Sequence, residues 1–99
     1  MPQRILIVDD EANIVDFLRL GLEHDGYDIA SCGSGLEALN ALQRQLPDLM
    51  ILDIMLPIMD GLEVCRRVRS SAKTNGVPIL MLSAKDDLED RVMGLEVGA

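Results

Sequence analysis

Aromatic residues are almost absent from this chain: one Tyr, one Phe and no Trp among 99 residues. With so few rings to fill volume, any core has to be aliphatic, and the six methionines read as part of its filling. Cysteine is as scarce. Cys32 and Cys65 are the only two, too few for a disulfide scaffold. Each has apolar neighbours, so both are expected to be buried, reduced thiols of a cytoplasmic protein. Long hydrophobic runs are missing too. Ile5-Leu6-Ile7-Val8 falls far short of the ~20 residues of a membrane span, and no signal-peptide pattern precedes it, so no membrane contact is expected. Basic residues are the minority, with 9 Lys and Arg against 17 Asp and Glu and a net charge of −8. That balance argues against binding nucleic acid or an anionic lipid surface through the chain's own charge. Repeats, linkers and low-complexity tracts are absent as well.

What is present suffices for a fold. Hydrophobic residues make up 48% of the chain and mean hydropathy is +0.20, which excludes disorder. The length suits one domain, residues 1–99. Along it, short apolar runs alternate with helical periodicity. Ile5 to Val8 reads as a strand covered on both faces. From Asn13 to His24 a helical stripe of Ile14, Leu18 and Leu22 follows, with Phe17 beside it, stopped by Asp25-Gly26. Tyr27 to Cys32 is a weaker strand, with Tyr27, Ile29 and Ser31 alternating against Asp28 and Ala30. Ser34 or Gly35 opens a helix bearing Leu36, Leu39 and Leu42. Leu49 to Leu52 is the third strand. Asp60, with Glu63 three residues on, has the spacing of a capping box for the next helix, to about Ser71. Asn75-Gly76 is a turn. Pro78 to Leu82 is the fourth strand, and a last helix carries Leu88, Val92 and Leu95. Alternation of this kind predicts an α/β fold with a parallel sheet and helices on both faces.

In such sheets ligands bind beyond the carboxyl ends of the strands. Asp9 and Asp10 follow the first strand, Asp53 the third, and Ser83 the fourth. If the first and third strands are neighbours, the three carboxylates share one crevice. Acids brought together there take up a proton or a cation, and hard oxygen ligands with room for water suit Mg²⁺. A carboxylate in that setting can act as a nucleophile toward phosphorus, with the Ser83 hydroxyl directed at a phosphoryl oxygen. Lys85 reads as a solvated lysine. Arg66, Arg67, Arg69 and Lys73 read as the solvated face of the third helix, with a partner-docking patch as the lesser reading.

These strand-end residues and their surroundings resemble the receiver domain of bacterial two-component response regulators. The matching segments are Ile5 to Glu11 (ILIVDDE), Asp48 to Gly61 (DLMILDIMLPIMDG), Pro78 to Lys85 (PILMLSAK) and Gly94 to Ala99 (GLEVGA). The resemblance runs the length of the chain. It implies a flavodoxin-like, doubly wound sheet in which the first strand lies between the second and third, order 2-1-3-4. It also implies that Asp53 is the phosphoacceptor for a sensor histidine kinase. Asp10 then binds Mg²⁺ directly and Asp9 through water, Asp53 adds a carboxylate oxygen and Met55 its backbone carbonyl. Ser83 is the switch hydroxyl. The domain is a signalling acceptor rather than an enzyme. Its transcriptional output passes through a DNA-binding domain that residues 1–99 do not contain, and the wording of Asp90 to Glu96 resembles regulators with a winged-helix output.

Receivers continue past Gly-Ala into a fifth strand, a lysine and a fifth helix, so the chain is expected to be incomplete at its C-terminus. An unpaired Ile79 to Leu82 edge then invites self-association. A truncated or engineered scaffold piece with impaired phosphotransfer is the alternative. A dehalogenase-type phosphatase fits less well, because position 55 is Met where that class needs a second Asp. A nucleotide- or flavin-binding module would rest on Gly33-Ser34-Gly35 alone.

Overall fold

A computed structural model describes residues 2–82. The elements alternate as β1 (Arg4–Val8), α1 (Ala12–His24), β2 (Asp28–Cys32), α2 (Gly35–Arg44), β3 (Leu49–Asp53), α3 (Gly61–Ser70) and β4 (Ile79–Leu82). All pairings are parallel and the sheet order is β2-β1-β3-β4. The expected last helix, Ser83 and Lys85 lie outside the described residues. No helix among those described is long and apolar enough to cross a membrane.

The strand order decides the layers. The β1-to-β2 connection runs one way across the sheet, and the next two connections run the other way. Right-handed crossovers then place α1 on one face and α2 with α3 on the other. Side-chain alternation along β1 matches. Leu6 and Val8 join Met50, Leu52, Ala38, Leu42, Val64, Cys65 and Val68 in the larger core cluster. Ile5 and Ile7 join Ile51 on the opposite face, against Val15, Leu18 and Leu22 of α1. Fully burying side chains such as Leu42, Leu52 and Val64 contributes ~1.5–3 kcal/mol each.

Local signals act as the residue pattern anticipates. Gly26, at φ +95°, closes α1. Ser34 caps α2 through the Glu37 N–H, and Asp60 caps α3 through the Glu63 N–H at 2.9 Å.

Four expectations need correction. Val15, rather than Ile14, completes the inward stripe of α1, and no residue of that helix is fully buried. Ala30 of β2 faces the larger core instead of solvent, whereas Ser31 is exposed and accepts a 2.7 Å bond from Arg19 Nη2. An edge strand under helices on both faces has no purely polar side. Of the basic residues after Glu63, Arg66, Arg67 and Lys73 are exposed as expected and only Arg69 is half-buried; Arg66 and Arg67 pair with Glu63 on the surface. Arg69 Nη1 donates to the Asn75 and Val77 carbonyls, and Lys73 Nζ donates to the Gln43 carbonyl. Arg69 thus ties α3 to its exit loop, and Lys73 ties that loop to α2. Among the methionines, Met50 and Met81 are core but Met55 is exposed.

Cys65 is buried and Cys32 only half-buried, and neither is in a disulfide. Burial pushes the Cys32 thiol up to about 11, helped by the Glu37 carboxylate and opposed by the Ser34 N–H. A thiol whose folded pKa is raised contributes stability below its unfolded value and loses it as pH climbs toward the folded one. We therefore expect Cys32→Ala to flatten a fall in stability between pH 9 and about 11 that the parent shows. Urea midpoints measured across that window check this, and identical pH profiles would refute it.

Candidate functional site

Adjacent strands whose onward connections diverge leave a crevice at their carboxyl ends. Here those strands are β1 and β3. Their register sets Val8 beside Leu52, so the residues that follow, Asp9 and Asp53, emerge side by side. Asp10 comes next along the chain. Carboxylate oxygens of Asp9, Asp10 and Asp53 all lie within 4.8 Å of one another. Asp9 (4% exposed) and Asp53 (7%) are buried, and Asp10 is exposed. The structure thus brings together the three acids that the strand-end argument selected.

Each buried acid is held by its own loop. Asp9 Oδ1 accepts the Glu11 N–H at 2.9 Å, and Asp53 Oδ1 accepts the Met55 N–H at 3.1 Å. Both are turn-forming bonds to a backbone two residues on, so the carboxylates shape the loops that present them. The flanking backbone is pinned to neighbouring strands. Asp9 N–H donates to the Cys32 carbonyl at 3.1 Å, and Ile54 N–H to the Leu82 carbonyl at 3.0 Å. Met55 therefore sits directly beyond Asp53, its N–H committed to that carboxylate and its side chain in solvent.

One functional position had no role assigned from its spacing. Gly61 N–H donates to the Ile54 carbonyl at 2.8 Å, which draws the start of α3 against the end of β3. A side chain at residue 61 would be driven into the Asp53 carbonyl oxygen, with Ile54 Cα 2.7 Å away. The glycine eight residues after Asp53 was the available signal, but spacing alone does not say what it touches.

Burial, chiefly, raises the Asp9 carboxyl above its ordinary value of 3.8, and repulsion from Asp53, Asp10 and Glu11 adds to it, against the lowering effect of the Glu11 N–H. Like charges at this separation repel by about 3 kcal/mol at the effective dielectric of a protein surface. A donor set of three hard carboxylate oxygens fits a hard divalent cation.

A measurable consequence follows from the sign of the Asp9 shift. A carboxyl with a raised folded pKa stabilises the fold once protonated, and that contribution is lost as pH rises through the raised value. Asp9→Asn keeps an acceptor for the Glu11 N–H and removes the charge. At pH 7 in chelator it is expected to be more stable than the parent. The gain should shrink as pH falls toward 3.8. Urea titrations at both pH values check this; a loss of stability at pH 7 would refute it.

A doubly wound parallel sheet with an acid cluster at its switch point is a flavodoxin-like α/β fold, a class that binds ligands outside the carboxyl ends of its strands. Within that class, the profile of the response regulator receiver domain matches residues 5–99. The chain belongs to that family. It is 48% identical over 99 residues to the alkaline phosphatase synthesis transcriptional regulatory protein PhoP of Bacillus subtilis, covering all of this chain and 40% of that protein. It is 50% identical to the DNA-binding response regulator MtrA of Mycobacterium tuberculosis, covering 42% of it. The chain thus spans about two-fifths of the length of these curated relatives. Among solved structures, the chemotaxis response regulator CheY4 of Vibrio cholerae superposes with a TM-score of 0.83 at 32% identity, over 100% of this chain and 82% of that one. The response regulator TrrA of Thermotoga maritima, solved in complex with Mg²⁺ and BeF, gives 0.77 at 40% identity, over 85% and 71%.

Proposed function

We propose that this chain is the phosphoacceptor part of a cytoplasmic two-component response regulator, with Asp53 receiving a phosphoryl group from a phosphohistidine of a sensor histidine kinase. The observation that carries the reading is the convergence of Asp9, Asp10 and a buried, loop-held Asp53 at the switch point of the sheet. In the transfer, an Asp53 carboxylate oxygen attacks phosphorus, a P–O bond forms and the P–N bond breaks. The imidazole leaves with the electron pair of that bond and takes up a proton. Water later attacks the same phosphorus, giving inorganic phosphate and restoring the carboxylate. The chain turns over no separate substrate, so it acts as a signalling acceptor and not as an enzyme. Met55 N–H holds the Asp53 carboxylate in position throughout.

Asp10 and Asp53, with Asp9 through water and the Met55 carbonyl, are the ligands we assign to Mg²⁺. The bound ion supplies charge neutralisation for the transferring phosphoryl oxygens. Ser83 is assigned the switch hydroxyl. Transcriptional output through a DNA-binding domain is supported by the names of the relatives, which are regulators of transcription and DNA-binding proteins. Asp10→Ala is expected to abolish Mg²⁺ binding, whereas Glu37→Ala, which removes an α2 surface carboxylate bonded to Ser34, should leave it intact. Calorimetric titration with MgCl₂ separates the two, and equal affinities would refute the site.

For the isolated 1–99 polypeptide we infer pairing of a second copy along β4. Leu80 and Leu82 are only half-buried, and no strand lies outside β4 among the described residues. Light scattering at low micromolar concentration tests this, and a strict monomer with full exchange protection from Ile79 to Leu82 refutes it.

A further inference from the structure

The arginines and lysines of this acidic chain are nearly all engaged. Among the described residues, Arg19 meets Glu23 and Ser31, and Arg66 and Arg67 meet Glu63. Arg69 meets the Asn75 and Val77 carbonyls, and Lys73 the Gln43 carbonyl. Only the guanidinium groups of Arg4 and Arg44 have no partner there. Acids outnumber bases by 17 to 9, so the cause is not a shortage of carboxylates. Asp28 lies opposite Arg4 in the sheet register, and Asp48 accepts the Arg4 backbone N–H at 2.7 Å. Neither carboxylate pairs with the Arg4 side chain. Arg4 is half-buried, and a partly desolvated cation without a partner costs stability.

Both arginines open onto one cavity of about 330 Å³ between the β1–β2 edge of the sheet and α2. Because α2 runs back against the strands, its last residue, Arg44, comes to the amino end of β1, where Arg4 stands. Asn40, one helical turn before Arg44, adds a side-chain amide, and Leu6 and Ala30 give the cavity an apolar floor. Glu37 and Cys32 line the opposite end. The Glu37 carboxylate repels an anion there and confines its charge to the arginine end. The Cys32 thiol, pushed up to about 11, stays neutral. The acid crevice is remote. From Arg4 to Asp9 the chain rises about 16 Å at ~3.3 Å per residue, beyond the ~8–10 Å at which salt screens exposed charges. Two guanidinium charges also outweigh the partial charge of about −0.5 at the α2 C-terminus.

We propose that this cavity binds a small organic anion, a carboxylate or phosphate monoester on a short aliphatic body, with its charged head between Arg4 and Arg44 and its body over Leu6 and Ala30. Guanidinium groups match the oxygens of either head with paired N–H donors. The volume lies at the low end of the ~300–1,000 Å³ range of small-molecule sites, which selects a small metabolite over a polymer.

The test uses the whole protein that carries this chain, in chelator so that no metal in the acid crevice competes for the anion. The probes are pentanoate and butyl phosphate, with pentylamine as the cationic control. The readout is the rate at which uncharged N-ethylmaleimide labels Cys32, located by peptide mass, since that residue lines the cavity. Cys65, buried elsewhere in the core, is the internal reference. At saturation one or both anions are expected to slow Cys32 labelling severalfold, and pentylamine to leave it unchanged. Arg4→Gln and Arg44→Gln are each expected to raise the half-protecting concentration about tenfold, as loss of a charge-assisted hydrogen bond does. Arg66→Gln, on α3 and paired with Glu63, should leave it as it is. The anion effective at the lower concentration identifies the head as carboxylate or phosphate. Absence of protection by both anions overturns the site. Equal protection by pentylamine overturns it too, because the cavity then selects no charge. So does an unchanged half-protecting concentration in Arg44→Gln, an exposed position at which a parent-like urea midpoint shows the variant to be folded.

Discussion

Asp53→Asn is expected to remove phosphoryl incorporation from the protein, by on the order of a hundredfold or more, with phosphoramidate or a phosphorylated kinase as donor. The amide has no anionic oxygen to attack phosphorus. It does keep an acceptor for the Met55 N–H that Asp53 Oδ1 now engages at 3.1 Å, so the fold is expected to survive. It also removes one of the three acids clustered within 4.8 Å, so urea stability without metal is not expected to fall. The measurement is acid-stable, hydroxylamine-labile phosphate under saturating donor, with a urea midpoint as the control for folding. Label persisting in a folded Asp53→Asn protein would sink the assignment. It would point instead to Asp9 or Asp10 as acceptor.

Gly61→Ala should damage both stability and phosphate acceptance, although residue 61 touches no ligand. The added methyl would collide with the Asp53 carbonyl oxygen and would lie 2.9 Å from the Asp53 carbonyl carbon and 2.7 Å from Ile54 Cα. These are backbone atoms, which cannot swing aside as the end of a side chain can. Either α3 retreats from β3, breaking the 2.8 Å bond from Gly61 N–H to the Ile54 carbonyl, or the end of β3 shifts and carries Asp53 with it. Overpacking typically costs 1–3 kcal/mol, and at a backbone-on-backbone contact we expect about 3. Against a total of ~5–15 kcal/mol for a domain this is a large fraction. Gly21→Ala is the control. Nothing lies within 4 Å of its added carbon, and in the middle of α1 alanine should gain up to about 1 kcal/mol. Equal urea midpoints for the two variants would show that the close approach at Gly61 carries no weight.

Much of this was legible in the residues because short-range rules govern it. Continuous apolar runs at Ile5 to Val8 and Leu49 to Leu52 could only be strands covered on both faces. Capping needs only a side chain and the backbone three residues on, so Ser34 with Glu37 and Asp60 with Glu63 were readable from spacing. The acids that matter were readable as well, because the carboxyl end of a parallel strand is where such sheets bind. Misreadings arose wherever a residue's fate depends on what crosses over it. Stripes at i, i+4 and i+7 do not say whether Ile14 or Val15 turns inward, since that depends on the rotation of α1 over β1 and β3. Ala30 looked outward because alternation on an edge strand cannot reveal that α2 and α3 cover the other face. Arg69 looked solvated because its acceptors, carbonyls of the α3–β4 loop, become neighbours only after folding.

The sequence by itself determined the alternation of elements, their caps, an aliphatic core and the identity of Asp9, Asp10 and Asp53 as strand-end acids, all properties of segments a few residues long. Tertiary structure alone decided that β1 and β3 are neighbours, and hence that acids more than forty positions apart in the chain come within 4.8 Å and repel. It alone decided that Gly61 must lack a side chain. Each of these depends on the distance between two elements, a quantity set by the packing of the whole sheet and its helices and by no local stretch of chain.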